Sequence, residues 1–448
     1  MKNFININNK ITLKNLTIKN INQNYLNWFQ DSNIKKNIIN TNFLKLADLK
    51  KYYFKEKKKK NLVFFGIFYK KRHIGNLKYE NIYKNSEKAS FGILIGNKSY
   101  RGKNIGYKVL KKSMNFLVQK YEIKKFIITS NKKNKKALNL YKKLGFKIFK
   151  NNAKQSFLVW DAFLSKIVIG TANFYNIYGI RKKIVKKNDI KNIINYAKKI
   201  NIRYIDTASN YGLSEKVLGE TLNNEFDVIS KISKINLKPS SFKTHIEKNL
   251  KKTLLKLKIK SVYGYLIHEA HDILSKNGKK IIQTLIQLKK NGKINKIGVS
   301  VYSTTDLNKV LKVFQPDIIQ IPVNILNQQF LKKNYLSNIK KMGVEIHARS
   351  LFLQGLLLSD NYKFLHMKNK LRKKIERINS FCKKKSISKL MLLVKFVDQI
   401  PEIDKIVLGV DNTNQLKKII NANKSQKLNM DFSRFAEKEK KILDPRLW

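Results

Sequence analysis

The run RYIDTASNYG at 203–212 begins as an apolar, β-branched strand and ends in Asp206 and Tyr211, and two later runs repeat that form. They are FDVISK at 226–231, ending in Lys231, and SVYGYLIH at 261–268, ending in His268. Five more apolar runs complete the series: KIVIGTA (166–172), INKIGVSV (294–301), PDIIQIPV (316–323), VEIHARSL (344–351) and DKIVLGV (404–410). Longer amphipathic stretches separate them. Strands alternating with helices, eight times over a length near ~250 residues, predict a closed (β/α)8 barrel with its chemistry at the carboxyl ends of the strands. Asp206, Tyr211, Lys231 and His268 all fall at or just past those ends.

These four residue types suit one kind of chemistry. A phenol with an ordinary pKa of ~10 becomes a usable acid when a neighbouring cation stabilises its phenolate. Tyr211 is the candidate acid and Lys231 the cation. Asp206 would keep the lysine charged and in place, and His268 would hydrogen-bond a carbonyl oxygen undergoing reduction. None of the four can donate a hydride, so the reduction requires a cofactor.

The motif Asp206-Thr207-Ala208-Ser209-Asn210-Tyr211-Gly212, together with Lys231 and His268, resembles the aldo-keto reductase family, whose catalytic tetrad is Asp, Tyr, Lys and His. The resemblance runs from about Lys166 to the C-terminal region and includes Ile169-Gly170-Thr171-Ala172 and Lys296-Ile297-Gly298-Val299-Ser300. It implies NADPH or NADH as cofactor, with Ser300 and Gln320 on the nicotinamide carboxamide. Val301 stands where an Asn often follows that Ser, and Arg349, in Ala348-Arg349-Ser350, stands where many members stack a Tyr on the nicotinamide ring. A planar guanidinium is able to stack in its place. The segment from Gly409 to Leu416 corresponds to the dinucleotide phosphate and adenine region, with Gln415 for a common Arg and Ile419 for a common Asn.

A second glycine signature lies in the first part of the chain. Tyr100-Arg101-Gly102-Lys103-Asn104-Ile105-Gly106 follows the strand-like SFGILIG (90–96) and precedes the helical YKVLKKSMNFLVQKY (107–121). Strand, glycine turn and helix start together form an anion site of main-chain amides. With the strand KKFIITS (124–130) and the segment from Asn131 through Asn134 and Tyr141 to Gly145-Phe146, this resembles the GNAT acetyltransferases over about residues 10 to 160. The resemblance implies acetyl-CoA as cofactor. It puts Arg101, Gly102, Lys103, Asn104, Ile105 and Gly106 at the pyrophosphate, Asn134 beside the acyl cofactor and Tyr141 as the acid that protonates the departing thiolate. Ser90 takes the place where some relatives carry a Glu that serves as base. Within the superfamily, Tyr79-Glu80-Asn81-Ile82 and Ala89-Ser90-Phe91-Gly92-Ile93 are closest to enzymes acting on amino groups of nucleotide-linked sugars, with ribosomal-protein N-terminal acetyltransferases next.

The expected organisation is thus an α/β chain of two domains: a GNAT α+β fold with a mixed central sheet over 1–163, then a (β/α)8 barrel over 164–448. A formal net charge of +66 attracts anionic substrates, and taken alone it would point to a nucleic acid. The lysines are spread through both halves in a chain also heavy in Asn and Ile, so the charge reads as compositional, and no nucleic-acid partner is inferred. One cysteine, Cys382, excludes an internal disulfide framework and gives no metal cluster. No stretch of about 18 apolar residues occurs, and the start MKNFININNK lacks a long apolar core, so the expectation is a cytoplasmic protein without a membrane span.

The function expected from these readings is bifunctional, acetyl transfer plus carbonyl reduction on amino-sugar or nucleotide-sugar intermediates of surface-glycan assembly. Two alternatives stand beside it. One is a protein N-terminal acetyltransferase joined to an unrelated reductase; the other is a basic nucleic-acid-binding protein with relic enzyme folds, which predicts tight, salt-dependent binding without turnover.

Overall fold

The computed structural model describes residues 4–37, 43–83, 87–180, 184–222, 225–233, 242–359, 369–425 and 428–447. The chain divides into two compact units, Met1–Ser165 and Lys166–Trp448.

The first unit is built on eight strands: β1 Phe4–Asn6, β2 Ile11–Asn15, β3 Leu62–Tyr69, β4 Arg72–Glu80, β5 Lys88–Ile95, β6 Lys125–Asn131, β7 Lys147–Asn151 and β8 Gln155–Asp161. Their order in the sheet is β1-β2-β3-β4-β5-β6-β8-β7. Every pairing is antiparallel except β5 with β6, so the sheet is mixed. That parallel pairing is short: Lys88, Ala89 and Ser90 lie against Lys125, Phe126 and Ile127. β5 then runs on to Ile95 and β6 to Asn131 without further pairing to each other. A wedge therefore opens in the sheet just past Ser90. On one face lies the helix Ile105–Tyr121, which buries Ile105, Val109, Leu110, Met114 and Leu117, an apolar stripe at helical spacing. These pack with Phe91, Phe126 and Tyr141 in one core, while Leu16, Tyr25, Leu26, Leu49 and Tyr53 form a second.

The second unit is a closed parallel barrel. Its strands are β9 Ile167–Gly170, β10 Tyr204–Asp206, β11 Asp227–Ile232, β12 Val262–Ile267, β13 Ile294–Ser300, β14 Ile318–Pro322, β15 Glu345–Arg349 and β16 Lys405–Gly409. β16 pairs back onto β9 through Leu408 with Ile169 and Gly409 with Gly170. All eight runs picked out in the sequence are strands of this barrel. Their continuous apolar character follows from burial on both faces, the barrel core inside and helices outside. β9 and β14 are buried along their whole length. Val168, Ile229, Leu266 and Ile318 pack together in the interior, each essentially without exposed surface. Burying one such side chain contributes about 1.5–3 kcal/mol.

The two ends of the barrel differ. At the amino end of the strands, Tyr263 donates to Glu345 at 2.8 Å and Lys296 pairs with the same carboxylate. The neighbouring His347 is fully buried against Glu345 at 2.8 Å. At the carboxyl end lie the turns that carry Asp206, Tyr211, Lys231 and His268.

Candidate active site

Asp206 closes β10, Lys231 is the next-to-last residue of β11, and His268 follows β12 directly. Tyr211 sits in the turn after β10. That turn is tied down by its main chain: Ser209 N donates to the Lys231 carbonyl at 3.0 Å, Tyr211 N to Ala208 at 3.1 Å and Ser214 N to Tyr211 at 3.0 Å. Four residues spread over 63 positions of sequence, 206 to 268, are thus gathered at one end of the barrel.

The Lys231 ammonium donates to Asp206 Oδ1 at 2.5 Å and to the Thr207 carbonyl at 3.0 Å, and stands 3.5 Å from the Tyr211 hydroxyl. Asp206 Oδ2 accepts from Gln320 Nε2 at 2.8 Å. Both carboxylate oxygens are therefore occupied, and Asp206, Lys231 and Gln320 are all buried. Across from the phenol, the His268 ring meets Tyr211 edge-on, with centroids 6.1 Å apart.

Electrostatics assigns the protons. Burial works against the charge on Lys231, but Asp206 and Tyr211 outweigh it and raise its pKa, so the ammonium persists. Burial raises the Tyr211 pKa and Lys231 acts in the opposite direction, so the phenol holds its proton while its phenolate has a cation at hand. His268 is pushed down to about 3 by burial, then by Lys231, Arg349 and Arg446, and so is a neutral imidazole at any working pH.

The residues assigned to the nicotinamide ring lie on the adjacent strands. Ser300 ends β13 and pairs in register with Gln320, whose amide nitrogen is given to Asp206. Gln320 thus supports the Asp206 carboxylate as well as being a candidate carboxamide partner. Arg349 ends β15, half-buried, with Nη1 donating to Ser350 Oγ at 3.2 Å and Nη2 to the Val301 carbonyl at 3.3 Å. Ser350 has a left-handed backbone, φ 62°, and its carbonyl accepts from Asn324 Nδ2 at 3.1 Å. At the end of β16, Gly409 is exposed and has no heavy atom within 4 Å of where a Cβ would stand, leaving its backbone approachable. Asn412 caps the helix Thr413–Lys424 by accepting from Gln415 N at 3.0 Å. The Gln415 side chain is bound to Asp411 twice, accepting from its N–H at 2.8 Å and donating to its carboxylate at 3.1 Å.

In the first unit, the glycine turn falls between β5 and the helix Ile105–Tyr121, as the sequence implies. Gly102 has φ +76° and Asn104 φ 59°, two left-handed residues that curl the chain into a concave turn. The helix begins without a side-chain cap, which leaves its first amides to whatever lies in front of them. Arg101 is used otherwise. Its Nη1 donates to Asp31 at 2.9 Å, Nε to the Ile95 carbonyl at 2.9 Å and Nη2 to the Gly96 carbonyl at 2.7 Å. Lys103 is exposed, its ammonium 5.6 Å from the Tyr100 ring centroid.

Asn134 caps the helix Lys135–Lys143 by accepting from Ala137 N at 3.1 Å. On that helix Tyr141 is buried against Phe91 of β5 and Phe146, at 5.8 Å from each ring, and burial pushes its phenol up to about 12. It is a protonated acid at neutral pH. Ser90 stands directly opposite Glu80 of β4, with its hydroxyl 3.5 Å from Glu80 Oε2.

Sequence reasoning did not single out Tyr302 or Arg446, nor the pairing of Glu80 with Ser90. Glu80 lies ten residues before Ser90, and only antiparallel register brings the two together. Arg446 was hidden among 95 lysines and arginines. Among the described residues, no group of His, Cys, Asp and Glu is arranged to hold a metal ion, and no helix is long and apolar enough to cross a membrane.

Comparison with known proteins finds two families along the chain. The profile of the Aldo/keto reductase family matches residues 166–440, and that of the Acetyltransferase (GNAT) domain matches residues 10–147. Among curated proteins, an NAD(P)H-dependent 6'-deoxychalcone synthase of Glycine max is 29% identical over 193 residues, 38% of this chain and 59% of that protein. An uncharacterized oxidoreductase of Schizosaccharomyces pombe is 28% identical over 193 residues, 37% of this chain and 56% of that protein. The chain thus spans somewhat over half the length of the curated relatives it matches. Among solved structures, the glycerol dehydrogenase of Gluconobacter oxydans is 20% identical, with a TM-score of 0.46 over 64% of this chain and 92% of that one. An aldo-keto reductase from Bacillus halodurans is 17% identical, with a TM-score of 0.47 over 64% and 93%. From its closed barrel and the match over more than half its length, this chain belongs to the aldo/keto reductase family, and it carries a GNAT acetyltransferase domain ahead of the barrel.

Proposed function

We propose that the barrel reduces a carbonyl compound with a reduced nicotinamide dinucleotide, and that the first unit transfers an acetyl group from acetyl-CoA to an amine. The observation that carries the first half is the contact chain Gln320–Asp206–Lys231–Tyr211, ending in a protonated phenol opposite a neutral imidazole. When bound, the dinucleotide supplies the hydride. The Tyr211 hydroxyl gives its proton to the carbonyl oxygen, and the Lys231 ammonium stabilises the phenolate that remains. Asp206 fixes that ammonium, and His268 donates a hydrogen bond to the same carbonyl oxygen. Arg349, Ser300 and the open end of β16 at Gly409 suit the dinucleotide, while Gln415 is engaged by Asp411, which favours neither the phosphorylated nor the unphosphorylated form.

For acetyl transfer, the wedge between β5 and β6 offers unpaired strand edges to an extended acyl chain, and the turn from Gly102 to Gly106 offers main-chain amides to a pyrophosphate. The amine attacks the thioester carbonyl, the C–S bond breaks, Tyr141 gives its proton to the departing thiolate, and the proton the amine sheds to water makes good the one the phenol gave. We take the acceptor to be the amine of a sugar or nucleotide-linked sugar, with both units serving assembly of modified amino sugars in the cytoplasm. The test is paired: oxidation of NADPH and NADH with a panel of aldehydes and keto sugars, and release of CoA from acetyl-CoA with amino sugars and with peptides. Acetylation of peptides alone would sink the sugar reading.

A further inference from the structure

Tyr302, two residues past the end of β13, is stacked by two guanidinium groups. Arg446 Cζ lies 3.3 Å from its ring centroid and Arg349 Cζ 4.1 Å, distances too short for both to share one face of the ring. Arg446 arrives from the C-terminal turn Pro445–Leu447. Its Nε and Nη2 are held by Asp444 at 3.0 and 2.7 Å, while among the described residues Nη1 faces Glu269 at 3.6 Å, beyond hydrogen-bond reach. Arg349 hydrogen-bonds the neutral Ser350 hydroxyl and Val301 carbonyl. A guanidinium has five N–H donors, so each group has donors to spare.

Beside this stack is a groove of about 590 Å³ that begins at Ser300 and Tyr302 and is walled by His271, Lys309, Lys312 and Arg446. Glu269 and Asp306 also line it, so three permanent cations face two carboxylates. Asp306 already accepts from the Ser303 hydroxyl at 2.8 Å. The groove reaches the carboxyl end of the barrel at Ser300, which pairs in register with Gln320, the partner of Asp206, and its wall residue Glu269 follows His268 in the chain.

We propose that this groove binds an oxyanion, carboxylate or phosphate, carried by the carbonyl substrate, and that Arg446 is the residue that recognises it. Planar, bidentate donors suit either anion, and Tyr302 fixes the guanidinium in advance of binding. The inference rests on the barrel being a carbonyl reductase.

The experiment compares two substrate pairs in the full chain: 4-carboxybenzaldehyde with methyl 4-formylbenzoate, and glyceraldehyde 3-phosphate with glyceraldehyde. The expected result is a kcat/KM about tenfold or more higher for the anionic member of at least one pair, the size of one charge-assisted hydrogen bond. Which pair shows it tells carboxylate from phosphate. Arg446→Gln should collapse that ratio through KM, and Arg446→Lys should restore part of it. Ratios near one in both native pairs, or a ratio untouched by Arg446→Gln, would overturn the proposal. If the native chain reduces none of the four, the reductase reading fails, and calorimetric titration with terephthalate and inorganic phosphate decides the groove. Binding lost in Arg446→Gln would uphold it; equal binding by both proteins would overturn it.

Discussion

At the barrel mouth the charges meet through side chains, with Lys231 2.5 Å from Asp206 and 3.5 Å from Tyr211. At the turn from Gly102 to Gly106 the nearest guanidinium, Arg101, is tied to Asp31 and to two carbonyls of its own strand end. What the turn itself presents is main chain shaped by two left-handed residues. One centre owes its chemistry to residue identity, the other to backbone conformation. A substitution at Lys231 should therefore cost both chemistry and stability, whereas one at Arg101 should cost local stability with little effect on cofactor binding.

The largest departure from symmetry is expected at Lys231. Lys231→Met leaves the buried Asp206 carboxylate with Gln320 as its remaining side-chain donor, and removing one partner of a buried pair costs about 3–5 kcal/mol. Urea unfolding of the barrel should register a loss of that order together with loss of reduction. A change below about 1 kcal/mol would show that the pair is not held as described.

Arg101→Ala should behave differently. It strips three hydrogen bonds, one of them to the Asp31 carboxylate, and should destabilise the first unit by about 1–3 kcal/mol. Affinity for acetyl-CoA, measured by calorimetry at a temperature where the unit is folded, should change only a few-fold. An undiminished melting temperature with affinity down more than about tenfold would instead place the guanidinium on the pyrophosphate and erase the contrast between the two centres.

The smallest expected signal is the absence of one. Native His268 stays neutral down to about pH 3, whereas the unfolded chain protonates near its ordinary ~6.5. The unfolded state thus binds more protons in that window, and the His268 contribution makes stability fall as pH drops from 6.5 toward 3. The His268 ring resonances should not shift between pH 8 and pH 5. A midpoint near 6.5 would mean that Lys231, Arg349 and Arg446 do not bear on the ring as the structure has them.

Legibility in the sequence followed the same divide. The barrel strands were readable because burial on both faces makes each a continuous apolar run, and the tetrad because each member ends or follows such a run. The glycine turn was readable as a turn, but the destination of Arg101 was not, since Asp31 lies seventy positions away and is brought to it by the fold. Gln320 was legible as a polar residue inside a barrel strand, while its hydrogen bond to Asp206 depends on two strands that are not neighbours in the barrel. The stack of Arg349, Tyr302 and Arg446 joins a strand end, a turn and the C-terminal segment, and no local pattern announces it.

The most direct test of the central claim is the steady-state rate of NADPH and NADH oxidation by native chain and by Tyr211→Phe, with a reactive aldehyde at saturation. Loss of general-acid catalysis predicts a kcat lower by about 100- to 10,000-fold in the variant, with dinucleotide affinity retained. Equal rates in the two proteins would contradict the account, because the proton would then come from a group other than the phenol that Lys231 and Asp206 are arranged to serve.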